Sequence, residues 1–141
     1  MNSNRKWLFS LAVIVTSALC VGCPDPNLQP KHSGSDCCYC DLDDNGALLV
    51  TIGNVSTKPA SGSTTRIVFY DAQTGEPLPA INHSTGELPA HGEATSAVDI
   101  PAECHNAAGI RNCAFRITAD IDNDVTEDFE IDNVVNGECI Q

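Results

Sequence analysis

The sequence predicts an all-β sandwich for residues 37–141, and three observations carry that expectation. Short segments alternate apolar and polar residues with a period of two, as half-buried strands do. Turn-forming Gly, Pro, Asn and Asp separate those segments. No stretch keeps a 3.6-residue apolar period for three turns.

Taken in order, Leu48, Val50 and Ile52 alternate within residues 47–55. In 64–70, Ile67 and Phe69 share one face and Val68 and Tyr70 the other. Residues 71–76 (DAQTGE) read as a turn, and 77–83 as a weak edge strand because it holds Pro77 and Pro79. Val98 and Ile100 point inward from 93–100. The clearest strand is 114–122, with Phe115, Ile117, Ala119 and Ile121 facing in and Arg116, Thr118, Asp120 and Asp122 facing out. In the last strand Phe129 and Ile131 alternate with Asp128, Glu130 and Asp132 on the way to Cys139.

The N-terminus carries an address. Arg5 and Lys6 precede a 15-residue apolar run, 7–21 (WLFSLAVIVTSALCV), that leads to Gly22 and Cys23. A membrane-spanning helix needs roughly 20 residues, so the run reads as a processed signal. Cys20-Val21-Gly22-Cys23 resembles the bacterial lipobox, with Cys20 where Leu is usual. The resemblance implies cleavage after Gly22 and a diacylglyceryl-modified Cys23. The competing reading is an ordinary secretory signal cut at the same bond. On the lipobox reading, 1–22 is the signal peptide, 23–36 a tether and 37–141 the folded domain. The Pro-, Ser- and Gly-rich stretch 24–35 would reach about 37 Å if extended. The protein is then expected in the bacterial cell envelope, lipid-anchored outside the cytoplasm at the outer membrane or cell surface.

Cysteine parity agrees. Of eight cysteines, Cys20 leaves with the signal and Cys23 is consumed by lipidation. Cys37, Cys38, Cys40, Cys104, Cys113 and Cys139 remain, an even number suited to disulfides in an oxidising compartment. Cys104 and Cys113 bracket eight residues between two predicted strands and are expected to pair. Cys139 is expected to join one of Cys37, Cys38 or Cys40, tying the two ends of the domain together. Arg5 and Lys6 leave with the signal, so five Lys and Arg remain against 19 Asp and Glu, a formal charge of −14. Such a surface repels nucleic acid and attracts cations. The mature aromatics are Tyr39, Tyr70, Phe69, Phe115 and Phe129, so the core must rest on Val, Ile and Leu with disulfide support.

Three signatures resemble the CARDB (cell-adhesion-related bacterial) domain. Gly53-Asn54-Val55-Ser56-Thr57-Lys58-Pro59-Ala60 is similar to a family strand ending, with Ser56 where Gly is usual. Leu88-Pro89-Ala90-His91-Gly92-Glu93 is similar to its turn into the next strand. Residues 120–133 resemble its closing motif, with Asp132 in place of an Asn. The resemblance implies an immunoglobulin-like sandwich of about seven strands and a binding or adhesion role without catalytic residues. It also implies that 120–133 is a structural turn whose polar side chains bond the backbone. Asn133, which shares the parity of Phe129 and Ile131, is then expected to bury its amide against backbone partners.

Calcium is the sharpest chemical candidate. Asp41-Leu42-Asp43-Asp44-Asn45-Gly46 matches the first half of an EF-hand loop, placing Asp41, Asp43 and Asn45 as ligands, but the closing Glu would fall at Ile52. Asp120, Asp122, Asp124 and Glu127 form a second candidate cluster. The competing reading of both is that the acids solvate the surface and cap turn amides. The Cys37–Cys40 C-x-x-C lacks the second pair a zinc site needs, and His32, His83, His91 and His105 show no ligand spacing. There is no H-E-x-x-H, no G-x-S-x-G and no phosphate-binding glycine loop. The expectation is therefore a non-enzymatic, cofactor-free envelope lipoprotein that binds another envelope or surface protein. The alternatives are a calcium- or glycan-binding protein and a structural accessory subunit of an envelope assembly.

Overall fold

The period-two alternation becomes seven strands in a computed structural model that describes residues 25–32, 39–105, 112–128 and 130–140. They are β1 (Leu28–Lys31), β2 (Leu48–Asn54), β3 (Ser63–Phe69), β4 (Ile81–Thr85), β5 (Glu93–Val98), β6 (Asn112–Thr118) and β7 (Val134–Ile140). A single turn of 3-10 helix covers Ala102–Cys104. The signal peptide, Cys23, Cys37, Cys38 and Phe129 lie outside the described residues.

Two antiparallel sheets result, one ordered β1-β2-β5 and the other β4-β3-β6-β7. The chain crosses between sheets from β2 to β3, back from β4 to β5, and again from β5 to β6, the Greek-key winding of an immunoglobulin-like sandwich. Leu48, Val50 and Ile52 of β2 and Leu28 of β1 project into the core from one sheet. Ile67 and Phe69 of β3 meet them with Phe115 and Ile117 of β6. The Phe69 and Phe115 rings pack edge to face with centroids 6.1 Å apart, a geometry that suits their quadrupoles.

The structure departs from the sequence reading in four places. First, residues 28–31, read as part of the tether, form β1, which pairs with β2 from Leu28↔Asn54 to Lys31↔Thr51. Pro30 is tolerated because β1 is an edge strand, where a missing N–H can face away from the ladder. Burial of Leu28, which is fully enclosed, favours docking. Second, the edge strand expected over 77–83 begins at Ile81 and runs to Thr85; the two prolines precede it and only Pro77 makes an isolated bridge, to Tyr70. Third, the strand expected over 114–122 stops at Thr118. Ala119 is buried, but Ile121 is half-buried in a turn and Asp120, expected to face out, is enclosed. Fourth, the last strand starts at Val134, and Ile131, expected inward, is 89% exposed. The last two corrections share a cause. Asp120 and Asn123 adopt positive φ (46° and 52°), and each such turn resets the phase of the alternation.

The register divides the connections between the two ends of the sandwich. β1 begins where β2 ends, and the connections 55–62, 86–92 and 119–133 gather at that same end. Beside them, Lys58 Nζ pairs with Asp25 Oδ1 at 2.9 Å. Both side chains are about two-fifths exposed, so that pair contributes no more than about 1 kcal/mol. At the other end Cys113 lies directly opposite Cys139 across β6 and β7. Cys113 is bonded to Cys104 and Cys139 to Cys40, so the bridges fasten the 3-10 turn and the segment before β2 to the same end of the β6–β7 pair. All three of Cys104, Cys113 and Cys139 are fully buried.

Candidate functional site

The 119–133 connection carries seven of the chain's acids and packs against the start of β1. Its first turn is built by Asp120. The Asp120 Oδ1 accepts the Asp124 N–H at 3.0 Å and its Oδ2 the Val125 N–H at 2.9 Å. Both oxygens are thus occupied by backbone amides, which lets a carboxylate that is 2% exposed stay paired and folds Val125 over the end of the core. Asp122 and Asp124, expected beside Asp120 as calcium ligands, are exposed. The predicted quartet is therefore split: Asp120 caps a turn, Asp122 and Asp124 face solvent, and Glu127 turns elsewhere.

Glu127 reaches the first strand. Its Oε2 accepts the Leu28 N–H at 3.2 Å, while its Oε1 is buried and accepts no hydrogen bond. Next to it, Asn133 is 3% exposed and donates from Nδ2 to Glu130 Oε2 at 2.8 Å. The buried amide expected at Asn133 is present, but its donor partner is a side-chain carboxylate rather than turn backbone; the backbone carbonyl of Asn133 is what accepts from Ala119 N, at 2.8 Å. The Asn133 Oδ1 is left without a donor, as are Asn27 Oδ1 and Asp132 Oδ1. Asp132 Oδ2 accepts from Asn27 Nδ2 at 3.1 Å and also from Gln29 Nε2. Sequence reasoning misses Asn27, Gln29 and Leu28 as partners of this loop, because the Pro-containing segment that holds them shows no strand signal of its own.

This geometry sets the charge of the corner. Burial, followed by the negative charges of Glu130 and Asp120, pushes the Glu127 carboxyl up from an ordinary 4.5 to about 7, against the opposing bond from the Leu28 N–H and the nearby Asn133 side chain. The folded protein therefore holds a proton there between those two values, which the unfolded chain has lost. Stability from this group is fully present below about 4.5 and is lost as pH rises through about 7. In a chelating buffer, melting temperature is expected to fall between about pH 5 and about pH 8, and Glu127→Gln to flatten that slope and melt higher at the upper end. A slope unchanged by the substitution would assign the pH response to another group.

The other candidate loop is likewise built as a turn. Asp43 Oδ1 accepts the Asn45 and Ala47 N–H groups, both at 2.8 Å, and Gly46 at φ 82° closes the bend. Those amides, Ala47 first, hold the Asp43 carboxyl below its usual range. Asp41 points away to His32 Nδ1 at 3.2 Å. The 71–76 turn repeats the device, with Asp71 Oδ1 accepting from Gln73 and Thr74 N–H groups at 2.8 Å. Among the described residues no three His, Cys, Asp or Glu side chains converge as a metal cluster.

Two of the clefts formed by the described residues bear on these segments. One of about 370 Å³ is bounded by Tyr70, Asp71, Asn112, Ala114 and Glu138 near the disulfide end. The other, about 110 Å³, sits in the acidic corner between Asp120, Asn123, Glu130 and Asn133.

The chain matches no protein-family model and no curated protein. Among solved structures it is similar to a CARDB domain from Pyrococcus furiosus, crystallised in complex with di-metal ions, at 17% identity over 82% of this chain and 88% of that one, with a TM-score of 0.46. The strand order and cross-sheet connections described above define the immunoglobulin-like sandwich of this chain on their own.

Proposed function

We propose that the protein is a lipid-anchored module outside the cytoplasm that binds another envelope or surface protein and has no catalysis of its own. One observation carries the reading: β1 begins at Leu28, five residues beyond Cys23. A chain of that length spans at most about 18 Å, half of what the expected tether would have allowed. With Cys23 acylated, the end of the sandwich that holds 55–62, 86–92 and 119–133 lies against the head groups. The disulfide-fastened end, with the larger cleft beside it, then faces outward as the surface presented to a partner. Two disulfides in so small a domain suit an oxidising compartment. A rigid module held close to a membrane fits adhesion or accessory binding.

Anchoring is the step to test. Cys23→Ser is expected to move the protein from the detergent phase to the aqueous phase, or to leave it unprocessed. Intact-mass analysis of the wild-type N-terminus should show a diacylglyceryl-bearing Cys23. A free, unmodified Cys23 there rejects the anchor and the orientation built on it.

A further inference from the structure

We propose that the outer face of the β4-β3-β6-β7 sheet, at Arg66 and Arg116, docks an extended acidic segment of a partner protein. The inference rests on the protein-binding reading and names the partner's chemistry, but it does not depend on the lipid anchor.

Arg66 and Arg116 are the arginines among the described residues, and the strand register brings them together. Arg66 lies between buried Thr65 and Ile67 on β3, and Arg116 between buried Phe115 and Ile117 on β6, so both point away from the core. Arg66 stands opposite Thr118 and Arg116 opposite Val68, which makes the two diagonal neighbours, about 7–8 Å apart at this spacing. Neither forms an ion pair among the described residues, where Lys58 pairs with Asp25 and His32 with Asp41. Arg66 donates from Nε to Asn82 Oδ1 at 3.1 Å, directly across on β4, which orients the guanidinium and leaves its Nη edge open. Asn136 stands opposite Arg116 on β7. Glu138, diagonal to Arg116 on the side of the larger cleft, does not pair with it.

Two unpaired guanidiniums side by side on so acidic a chain are complementary to anionic groups, and the geometry selects their kind. A guanidinium takes a carboxylate through two parallel N–H···O bonds. Alternate residues on one face of an extended strand are about 7 Å apart, the spacing of the arginine pair. Carboxylates at i and i+2 of an extended segment therefore meet both. Asn82 and Asn136 border the pair with neutral hydrogen-bonding groups that suit the segment's backbone. A nucleic acid, an anionic glycan or an anionic membrane spreads its charge beyond the pair and meets the rest of an acidic surface. A short acidic segment engages the pair alone. The face runs on through Tyr70, Ala114 and Glu138 into the larger cleft, so a segment lying along the strands continues toward the disulfide-fastened end.

The test is titration of the purified oxidised protein, followed by NMR, with a capped tetraglutamate peptide and with tetraglutamine as the uncharged control. The Nε–H signals of Arg66 and Arg116 should shift saturably with tetraglutamate, and not with tetraglutamine. Arg66→Gln and Arg116→Gln, both at outward positions, should keep the wild-type fold and each weaken binding at least about fivefold. Arg66→Lys should restore little, since an ammonium keeps the charge without the fork. Lys58→Gln removes the same charge elsewhere and should leave binding unchanged. No saturable shift, equal binding of tetraglutamine, or an equal loss in Lys58→Gln would each overturn the proposal. So would tighter binding of phosphatidylglycerol vesicles or polygalacturonate through the same arginines, which would make the occupant a membrane or a glycan. None of these outcomes bears on the acyl group at Cys23, so failure of the patch and failure of the anchor are read separately.

Discussion

Replacing Cys40 and Cys139 together by alanine is expected to lower the stability of the domain by about 4 kcal/mol, against about 2–3 kcal/mol for the Cys104 and Cys113 pair. The two bridges differ in the loop they close. Cys40–Cys139 joins residues 99 apart, whereas Cys104–Cys113 joins residues 9 apart. A cross-link removes more entropy from the unfolded chain as its loop lengthens. Nearly all of the folded domain lies inside the longer loop, so its loss frees the segment before β2 and the end of β7 at once. Urea unfolding of both double variants, under conditions that keep the surviving bridge oxidised, checks the ordering. A Cys104/Cys113 variant that loses as much as the Cys40/Cys139 variant would show that local strain or packing, not loop length, sets the effect.

How much of this was legible in the sequence depended on whether a residue's role was local. Alternation in Leu48, Val50 and Ile52, in Ile67 and Phe69, and in Phe115 and Ile117 showed the inward faces, because a strand's two faces follow from its own period. The same period misled at Ile131, where positive-φ turns upstream break the phase and the acids supply polar alternation by composition alone. β1 was illegible for a different reason. Four residues containing a proline have no strand signal of their own, and LQPK becomes a strand only because the β2 edge and the core beneath Leu28 are present. At the acidic corner the turn-capping of Asp120 and Asp43 was foreseeable, since an Asp bonding amides two to five residues on is a local event. The contact of Glu127 with Leu28, 99 residues away, was not. Nor was the role of Asn54, a single letter inside a loose motif.

Asn54→Ala is expected to cost about 3–4 kcal/mol and to lower the melting temperature by more than about 10 °C. Asn54 ends β2 at 1% exposure, and its amide is a hub for three segments. Its Oδ1 accepts the N–H groups of Ser56 at 3.1 Å and Asn27 at 3.3 Å. Its Nδ2 donates to the carbonyl of Lys58 at 2.6 Å and to that of Pro89 at 3.1 Å, with Leu88 at 3.4 Å. Its own backbone N–H meets the Gly92 carbonyl at 2.9 Å. Truncation removes none of these backbone partners and strips them of their match, the costlier half of breaking a buried hydrogen bond. Glycine at 92 serves the same junction, since a Cβ there would stand 2.6 Å from the Pro89 ring and push the 86–92 turn off Asn54. Asn54→Asp should be no milder near neutral pH, because a carboxylate would then face the carbonyls that Nδ2 now satisfies. Lys58→Ala, which severs only the exposed pair with Asp25, is the contrast and should cost under about 1 kcal/mol. Hydrogen exchange adds a local readout: in Asn54→Ala the amides of Ser56, Ala60 and Leu88 should lose protection before those of β6. A loss below about 1 kcal/mol, with those amides still protected, would mean that water replaces the side chain and that packing of Leu28, Ala60 and Leu88 holds this end of the sandwich without it.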